Sequence, residues 1–385
     1  MKTARRTTLI LLLIMPLLAL AFELRIKDKM VDFSVNYRAA QRLRLGETLY
    51  RTADGHYQFK YMPFSAFLYV PLTLVPLAAA KGTWFALVIL SSVLVFFFSA
   101  KLLRSDRRRT LTAELVAVLV LGRYFLREIQ LGQINALITA VLLLMIVSLD
   151  SGRARPSRAG AQCGTGLCWG LATALKPYSL IYLPYFLLKK RWLPVAGGFA
   201  VLGLAGLAPA VFYGPGGNFV VLKEWWSTLS ASTPSLFSTQ DNVSLMGCLV
   251  KWTGRPGLSL AIYLLFLGGL AGLVLFLVHL GRNRDRGFVL ETFLILALIP
   301  LISPLGWDYT LLAAAPAVML IACHLDKLRA FARLFLFLDF AVIALSLYDL
   351  LGRGLYARFM ASSAITVCFL ILIGYVAHLR IKNYA

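Results

Sequence analysis

Polar and charged side chains capable of chemistry interrupt an otherwise apolar sequence. Asp32 stands near the start of a long polar stretch, and further candidates recur at the ends of later apolar runs: Arg127, Glu128, Gln133, Asn135, Lys176, Asn242, Trp307, Asp308 and Tyr309. Polar groups that border apolar spans are costly unless they line a cavity. The pattern therefore predicts one site in which a carboxylate lies among cationic and amide donors.

Such a set of side chains suits the transfer of a sugar from a lipid phosphate to a hydroxyl group. The Asp32 carboxylate would take the proton of the acceptor hydroxyl while its oxygen attacks the anomeric carbon. Cationic and amide donors would stabilise the negative charge that grows on the departing phosphate. A polyprenyl tail would lie in lipid between helices while its head group reaches the cavity.

The composition indicates the scaffold that must position these residues. The chain has 385 residues, 59% of them hydrophobic, in repeated apolar runs. Because ~20 apolar residues cross a bilayer, we expect an all-α polytopic membrane protein. The net charge of +22 comes from short clusters between these runs, which indicates topology and no nucleic-acid partner. Five cysteines without a CxxC pair are interpreted as small buried hydrophobic residues.

Counting positive charges predicts about twelve membrane helices, with the N-terminus in the cytoplasm. The spans are expected at about 7–22, 82–103, 111–126, 133–149, a short hairpin at 161–188, and then 193–213, 258–280, 288–302, 309–323, 330–350 and 359–379. The inner clusters include Arg107, Arg108, Arg109, Arg153, Arg155, Arg158, Arg282, Arg284, Arg286, Arg380 and Lys382. The first span resembles a signal peptide, but an uncleaved helix is favoured because only this helix places the next loop outside. Residues 1–385 are expected to form one integral domain of the plasma membrane, with a first outer loop at 23–81 and a second at 214–257.

The first predicted outer loop, residues 23–81, is the longest polar stretch, and loops of this length are usually functional or disordered. Its apolar periodicity predicts a juxtamembrane helix from about Phe33 that presents Asp32. Residues 61–80 contain three prolines and are interpreted as short interfacial or re-entrant helices. Lys176 falls at the tip of the 161–188 hairpin. A lysine that faces lipid costs ~2.5–3.5 kcal/mol, so Lys176 is expected to face a wet cavity.

Short motifs occur along the chain in a consistent order. They are Asp32-Phe33 with Tyr37, Ala39-Ala40, Gly46, Leu49-Tyr50, Tyr61-x-Pro63 and Pro71-Leu72; Gly132-Gln133-x-Asn135; Lys176-Pro177; Asn242-x-Ser244-Leu245-x-Gly247; and Ser303-Pro304-x-x-Trp307. Over about residues 7–323 this order resembles glycosyltransferase family 87. That family belongs to the GT-C superfamily of polyprenyl-phosphate-sugar-dependent enzymes, many of which are mannosyltransferases.

The resemblance implies a GT-C fold and an inverting hexosyltransferase with Asp32 as the catalytic base. It implies a polyprenyl-phosphate sugar donor, with mannose the expected sugar, and a glycolipid or glycan acceptor at the outer face. The donor phosphate and sugar would contact Gln133, Asn135, Lys176 and Arg127. The acceptor or the cavity would involve Tyr37, Tyr61, Asn242, Trp307, Asp308 and Tyr309. No cofactor is predicted, because His56 is the one histidine of the first outer loop and no ligand cluster supports a metal site. The sequence leaves open whether a divalent ion assists the reaction.

Two positions depart from the family pattern. Met62 stands where the family often has a second proline, and Asp308-Tyr309 stands where it often has a histidine. The second departure leaves the identity of the acceptor open.

Several structural interpretations of the same residues also stay open. Asp32 is suited to cap a helix, Lys176 to extend to the interface, and Gln133 to bond between helices. The functional alternatives are a transporter or flippase, which predicts midplane charges and two related halves, a lipid-linked glycan ligase, and a non-catalytic assembly partner.

Overall fold

The computed structural model describes residues 16–154, 159–280 and 287–382. Within these ranges the chain forms helices and turns, and the β-pairing is an isolated bridge between Asn242 and Trp307. The expectation of an all-helical polytopic membrane protein is confirmed. Some predicted features lie outside the described residues, namely most of the first span and the basic residues Arg155, Arg158, Arg282, Arg284 and Arg286.

The first half of the described chain is built from eight α-helices. These are α1 Val31–Arg44, α2 Pro63–Tyr69, α3 Leu77–Leu103, α4 Arg107–Leu131, α5 Asn135–Ala154, α6 Ala159–Leu175, α7 Tyr182–Leu188 and α8 Trp192–Leu207. The 3₁₀ segments of this half are Thr52–Tyr57, Val70–Leu74 and Pro177–Ile181, and a π-helical turn, Phe22–Ile26, precedes α1.

The second half continues with eight α-helices and three 3₁₀ segments. The helices are α9 Ala210–Ser232, α10 Leu245–Thr253, α11 Pro256–Leu280, α12 Gly287–Ile302, α13 Ala315–Cys323, α14 Ala330–Leu345, α15 Tyr348–Ala361 and α16 Ala364–Ile381. The 3₁₀ segments are Pro234–Leu236, Asp308–Ala314 and Leu325–Lys327.

Judged by length and composition, fewer of the described helices could span a membrane than the twelve that were predicted. Among the described helices, α3, α11 and α16 are long and apolar enough to cross a membrane, and the total is up to six if each bent pair is one span. The bent pairs are α4 with α5 at 118°, α8 with α9 at 93°, and α14 with α15 at 99°. The twelve-helix count is therefore not confirmed.

Two of the predicted spans are interrupted by bends in the structure. The expected helix at 330–350 ends at Leu345, and α15 then leaves at 99°. Arg123 donates hydrogen bonds to the Ser346 carbonyl and, at 2.6 Å, to the Ser346 hydroxyl, which satisfies backbone freed by the bend. The expected helix at 193–213 ends at Leu207, because Pro209 lacks the backbone N–H that a continuing helix would use.

The first predicted outer loop contains the expected short helices. The juxtamembrane helix is α1, and residues 61–80 form α2, the 3₁₀ turn after it and the start of α3. Pro63 opens α2 at a position where its fixed φ is favourable and its missing N–H has no helical partner. Arg42 on α1 makes two hydrogen bonds to the Asp54 carboxylate, one of them at 2.9 Å, and so fixes the loop onto the helix.

Helix α4 separates two ends of the molecule. Its 25 residues correspond to about 37 Å, enough to cross a bilayer. At its start Arg109 lies 3.4 Å from Asp326, beside the residues that precede α14, and we call this the basic end. At its other end the Gly132 carbonyl accepts a hydrogen bond of 2.9 Å from the Trp84 indole of α3. Asp32 and its neighbours lie at this second end.

Candidate active site

The Asp32 side chain is in the first turn of α1 and does not cap the helix. The N-cap position is Met30, and no side-chain cap bond is formed there. The Asp32 Oδ2 atom instead accepts a hydrogen bond of 2.8 Å from Gln133 Nε2. The carboxylate is thus bonded to the turn that joins α4 and α5, across a sequence separation of about a hundred residues.

Gly132 brings α1 and that turn together. Its φ of +67° is in the left-handed region that ends many helices at glycine. A Cβ atom at this position would lie 2.7 Å from Phe33 Cβ and 2.9 Å from Met30 Cε. Only a residue without a side chain therefore allows α1 to approach the end of α4 and puts Asp32 beside Gln133.

The Gln133 amide is oriented by Lys176. An ammonium group only donates hydrogen bonds, so the Gln133 oxygen must be the atom that faces Lys176 Nζ, at 3.5 Å. The amide nitrogen then points the other way, towards the Asp32 carboxylate and, at 3.1 Å, the Tyr309 hydroxyl. Tyr61 also donates to the Gln133 oxygen, at 3.5 Å, and its ring lies 5.1 Å from Lys176 Nζ.

A buried polar network lies behind Gln133. Lys176 Nζ donates to Asn135 Oδ1 at 2.7 Å, and Tyr178 donates to the same oxygen at 3.2 Å. Asn135 Nδ2 in turn donates to Glu128 Oε2 at 2.8 Å, and the backbone N–H of Ala136 donates to Glu128 Oε1 at 2.8 Å. Sequence reasoning named Glu128 as an unusual polar residue without giving it a role. Its carboxylate anchors the start of α5 and fixes Asn135.

The open side of Asp32 faces a cavity of about 340 Å³. The predicted site residues that line it are Asp32, Tyr61, Arg127, Gln133, Trp307, Asp308 and Tyr309. Asn135 and Lys176 are buried behind this wall, 1% and 7% exposed, and do not line the cavity. The expectation that Lys176 faces a wet cavity is therefore wrong, because its ammonium group is used by the Gln133 and Asn135 oxygens.

Tyr37 and Asn242 are placed elsewhere. Tyr37 packs against Phe33 and donates a hydrogen bond of 3.2 Å to the Val75 carbonyl, on the side of α1 away from the cavity. Asn242 is fully buried and fastens the segment before α10 to the loop that carries Trp307. Its Oδ1 accepts from the Gly306 N–H at 3.1 Å, and the Val243 N–H donates to the Gly306 carbonyl at 2.6 Å. Asn242 thus positions the wall without being part of it.

The cavity also exposes residues that the sequence analysis did not assign. His56, Lys60 and Asp241 line it together with residues of the first predicted outer loop. Burial lowers the pKa of the Lys60 ammonium group, which lies half-buried in the wall. A signal for Lys60 was present, because it directly precedes the Tyr61-x-Pro63 motif. Within the described residues, no three His, Cys, Asp or Glu side chains are grouped to hold a metal ion.

Two opposing effects act on the Asp32 carboxyl group. Burial is the larger effect and raises its pKa above the usual aspartate value. The hydrogen bond from Gln133 and the positive charges of Lys176 and Arg127 oppose this rise. Nearby, the Asp308 carboxylate lies 4.0 Å from the Arg123 guanidinium. Asp32 is therefore a desolvated carboxylate on a cavity wall, held by a neutral donor and able to accept a proton.

A comparison with protein families decides the class of the protein. The model of Glycosyltransferase family 87 matches residues 59–304, which is more than half of the chain. The chain belongs to this family. It is therefore a membrane glycosyltransferase, as the order of the motifs predicted. The matched range begins after Asp32, so the role of that residue rests on the geometry around it.

Two crystal structures of another protein are similar to this family member over much of its length. The apo crystal structure of ArnT from Cupriavidus metallidurans is 14% identical, with a TM-score of 0.43, over 98% of this chain and 78% of ArnT. The crystal structure of the same protein bound to undecaprenyl phosphate is 13% identical, with a TM-score of 0.44, over 91% and 72%. A search of curated proteins gives no significant match. The family model, and not these similarities, carries the assignment.

Proposed function

We propose that this protein transfers a hexose, with mannose the expected sugar, from a polyprenyl-phosphate donor to a hydroxyl group of a lipid or glycan acceptor. The transfer inverts the anomeric centre and takes place on the extracytoplasmic face. The observation that carries the proposal is the Asp32 carboxylate, which lies on a cavity wall and is bonded at 2.8 Å to an amide that Lys176 orients.

Asp32 acts as the general base. The acceptor hydroxyl donates its hydrogen bond to the free oxygen of the carboxylate, and its proton passes to Asp32 as the acceptor oxygen bonds to the anomeric carbon. The bond from that carbon to the phosphate oxygen breaks, and its electron pair stays on the phosphate. Because attack and departure occur on opposite sides of the carbon, the configuration is inverted. The raised pKa of Asp32 makes it a stronger base than an exposed aspartate.

The leaving phosphate is stabilised by cations that reach the cavity. Arg127 and Lys60 line it and carry positive charge on flexible side chains. Arg127 suits this role because its guanidinium offers paired donors to phosphate oxygens. Lys176 and Asn135, which sequence reasoning placed near the phosphate, act one layer further out by fixing Gln133. Their contribution is to keep an N–H, and not a carbonyl oxygen, directed at Asp32.

The acceptor occupies the side of the cavity that Trp307 and Asp308 border. An aromatic ring offers an apolar face and is suited to the C–H face of a sugar. Asp308, which replaces the family histidine, offers an anionic acceptor of hydrogen bonds from sugar hydroxyls. Tyr309 reaches Gln133 at 3.1 Å and links this side to the base.

The orientation in the membrane follows from the charge distribution. Arg107, Arg108 and Arg109 open α4 at the basic end, and cytoplasmic loops of membrane proteins are enriched in such residues. Asp32 lies at the other end of α4, which the same rule places outside. Reporter fusions after Lys60 and after Arg109 test this arrangement, and two fusions that report the same side would contradict it.

The reaction is tested with the full-length protein in lipid nanodiscs. It is given polyprenyl-phosphate-[¹⁴C]mannose and a lipid extract as acceptor, and the anomeric configuration of the product is determined by NMR. We expect transfer with inversion, and a loss of about 10²- to 10⁴-fold in Asp32→Asn, as for removal of a general base. Asp28→Asn is the matched control, because Asp28 is an exposed carboxylate of the same loop.

Three results would contradict the proposal. Unchanged transfer in Asp32→Asn would remove Asp32 as the base. Retention of the donor configuration would exclude direct displacement by the acceptor. Transfer of whole glycans from a polyprenyl diphosphate, with none of mannose from the monophosphate, would favour the lipid-linked ligase.

A further inference from the structure

A second cavity lies at the basic end, far from Asp32. Its volume is about 580 Å³, and it is formed between α14 and α16 together with the residues that precede α14. The Tyr375 hydroxyl donates a hydrogen bond of 2.6 Å to the Ala332 carbonyl and forms the floor between the two helices. Gly374 faces the groove and has no atom within 4 Å of its Cβ direction, so this part of the cavity is open space.

The two halves of this groove differ in chemistry. Towards the middle of the helices it is lined by Phe335, which is 46% exposed, and by Ile371. This half is continuous with an exposed apolar side of α14, where Leu338 is 53% exposed. At the helix ends it is lined by cationic side chains and a histidine, namely Lys327, Arg329, Lys382 and His378. Among the described residues that line it, none is acidic.

A groove with one cationic end and one apolar half is suited to a ligand that is both anionic and amphipathic. The cationic end attracts a phosphate, and the apolar half, which opens to the bilayer, accommodates the hydrocarbon next to it. A free phosphate or a nucleotide would leave the apolar half exposed. Basic pockets between helices on the cytoplasmic side are where anionic head groups bind, and the anionic lipids of that leaflet supply them.

We propose that the groove between α14 and α16 is a binding site for an anionic glycerophospholipid. The phosphate lies between Arg329 and Lys382, and an acyl chain passes over Gly374 towards Phe335. The site does not take part in the transfer reaction, and the inference rests on the proposed orientation of the basic end but not on the proposed reaction. It predicts that the basic end is held at the membrane surface by a specific lipid as well as by general electrostatic attraction.

The test measures lipid retention by native mass spectrometry. Full-length protein is incubated with equal amounts of dioleoyl phosphatidylglycerol and dioleoyl phosphatidylcholine and released from detergent. We expect about tenfold preference for phosphatidylglycerol, and its loss in the double variant Arg329→Ala/Lys382→Ala, since each surface cation contributes substantially to anionic-lipid binding. Arg107→Ala/Arg108→Ala is the matched control, because it removes two exposed cations from the same end but outside the groove.

A steric variant tests the site without changing charge. Gly374→Leu places its Cβ atom in open space and extends a side chain into the groove, and we expect it to reduce phosphatidylglycerol binding about tenfold. Gly268→Leu on α11 is the control, since its Cβ direction is equally open and lies outside the groove. Equal loss in the two double variants would overturn the proposal, because it would show only general surface attraction. Unchanged binding in Gly374→Leu, or displacement of phosphatidylglycerol by an equimolar polyprenyl phosphate, would also overturn it.

Discussion

Two carboxylates of this protein, the buried Glu291 and the half-buried Asp32, are surrounded by similar residue types but are held in different ways. Glu291 on α12 accepts bonds directly from Arg380 at 2.8 Å and from Lys189 at 3.0 Å. Asp32 accepts from a neutral amide, and the nearest lysine reaches only the far side of that amide. Both have a tyrosine nearby, since Tyr185 donates to Glu291 at 3.2 Å. The difference is whether a cation touches the carboxylate.

The direct contact suits a structural role and the indirect contact suits a base. The Glu291 carboxylate is occupied by two cations and by the Tyr185 hydroxyl, so its oxygens are used within the protein. The Gln133 amide orients Asp32 and stabilises its charge less, so the carboxylate keeps its affinity for a proton. Glu291 is also enclosed, with its side chain 1% exposed, whereas Asp32 lies on a cavity wall.

The largest predicted effect concerns the structural carboxylate. Glu291→Gln removes the charge that compensates two cations, and breaking a buried pair from one side typically costs about 3 to 5 kcal/mol of stability. Thermal unfolding in detergent should show this loss, while activity per folded molecule stays near wild type. Glu47→Gln is the control, since Glu47 pairs with Arg51 at the surface and exposed pairs contribute about 0–1 kcal/mol. Equal stability of the two variants would remove the distinction between these sites.

Exchanging Gln133 and Lys176 should give Asp32 a direct ion pair, as Glu291 has. The double variant Gln133→Lys/Lys176→Gln keeps the residue composition but places an ammonium group against the carboxylate. We expect the fold to persist and transfer to fall about 100-fold, because the ion pair holds Asp32 in its deprotonated form and weakens it as a base. Activity assays with matched thermal unfolding curves measure both. Wild-type activity in the exchanged variant would show that direct ion pairing is compatible with the reaction.

The pH dependence of transfer should report the amide bond to Asp32. The active form of the base is deprotonated, so activity is present above the Asp32 pKa and is lost as pH falls through it. Burial already raises this pKa and the Gln133 bond opposes the rise. Gln133→Leu should therefore move the acidic limb of kcat/KM to higher pH. Gln58→Leu, at another amide that lines the cavity, should leave the limb in place, and a downward shift in Gln133→Leu would contradict the assignment.

The smallest expected effect is at Tyr309. Its hydroxyl accepts the second N–H of Gln133 at 3.1 Å, and Tyr309→Phe removes this bond while keeping the ring. A neutral hydrogen bond contributes about 1 kcal/mol, so kcat should fall about fivefold. Tyr178→Phe is a useful comparison, because it removes a bond to Asn135 one layer further from Asp32 and should have a weaker effect. A larger loss at Tyr178 would place the important contact behind the wall.

The sequence predicted which polar residues lie close together. It did not predict which of them line the cavity and which lie behind its wall. Asp32, Gln133 and Tyr309 meet because polar groups beside apolar spans must share a cavity, and that requirement is visible in the sequence. Whether Lys176 contacts the cavity or the amide behind it depends on rotamers and on packing against distant helices. Periodicity and spacing do not contain that information.

Among the helices, too, features set by the local sequence were predicted, and those that depend on distant residues were not. The juxtamembrane helix and the short helices of 61–80 follow from apolar periodicity and prolines, and the structure contains them. The bend after Leu345 was not predicted, because the Arg123 side chain that satisfies the freed backbone comes from a helix more than two hundred residues earlier. Asn242 was predicted to contact the acceptor or to line the cavity, although its amide is used within the protein.

Asn242 joins the loop that carries Trp307 to the segment that precedes α10, and this segment makes no hydrogen bond to Asp32 in the described structure. The position of Trp307 is set by bonds from Asn242 and Val243 to Gly306. Changes in the segment before α10 are therefore expected to move Trp307, and with it the side of the cavity that we propose for the acceptor, while the bond between Gln133 and Asp32 stays in place. Variation in acceptor choice would then require no change in the residues that hold the base.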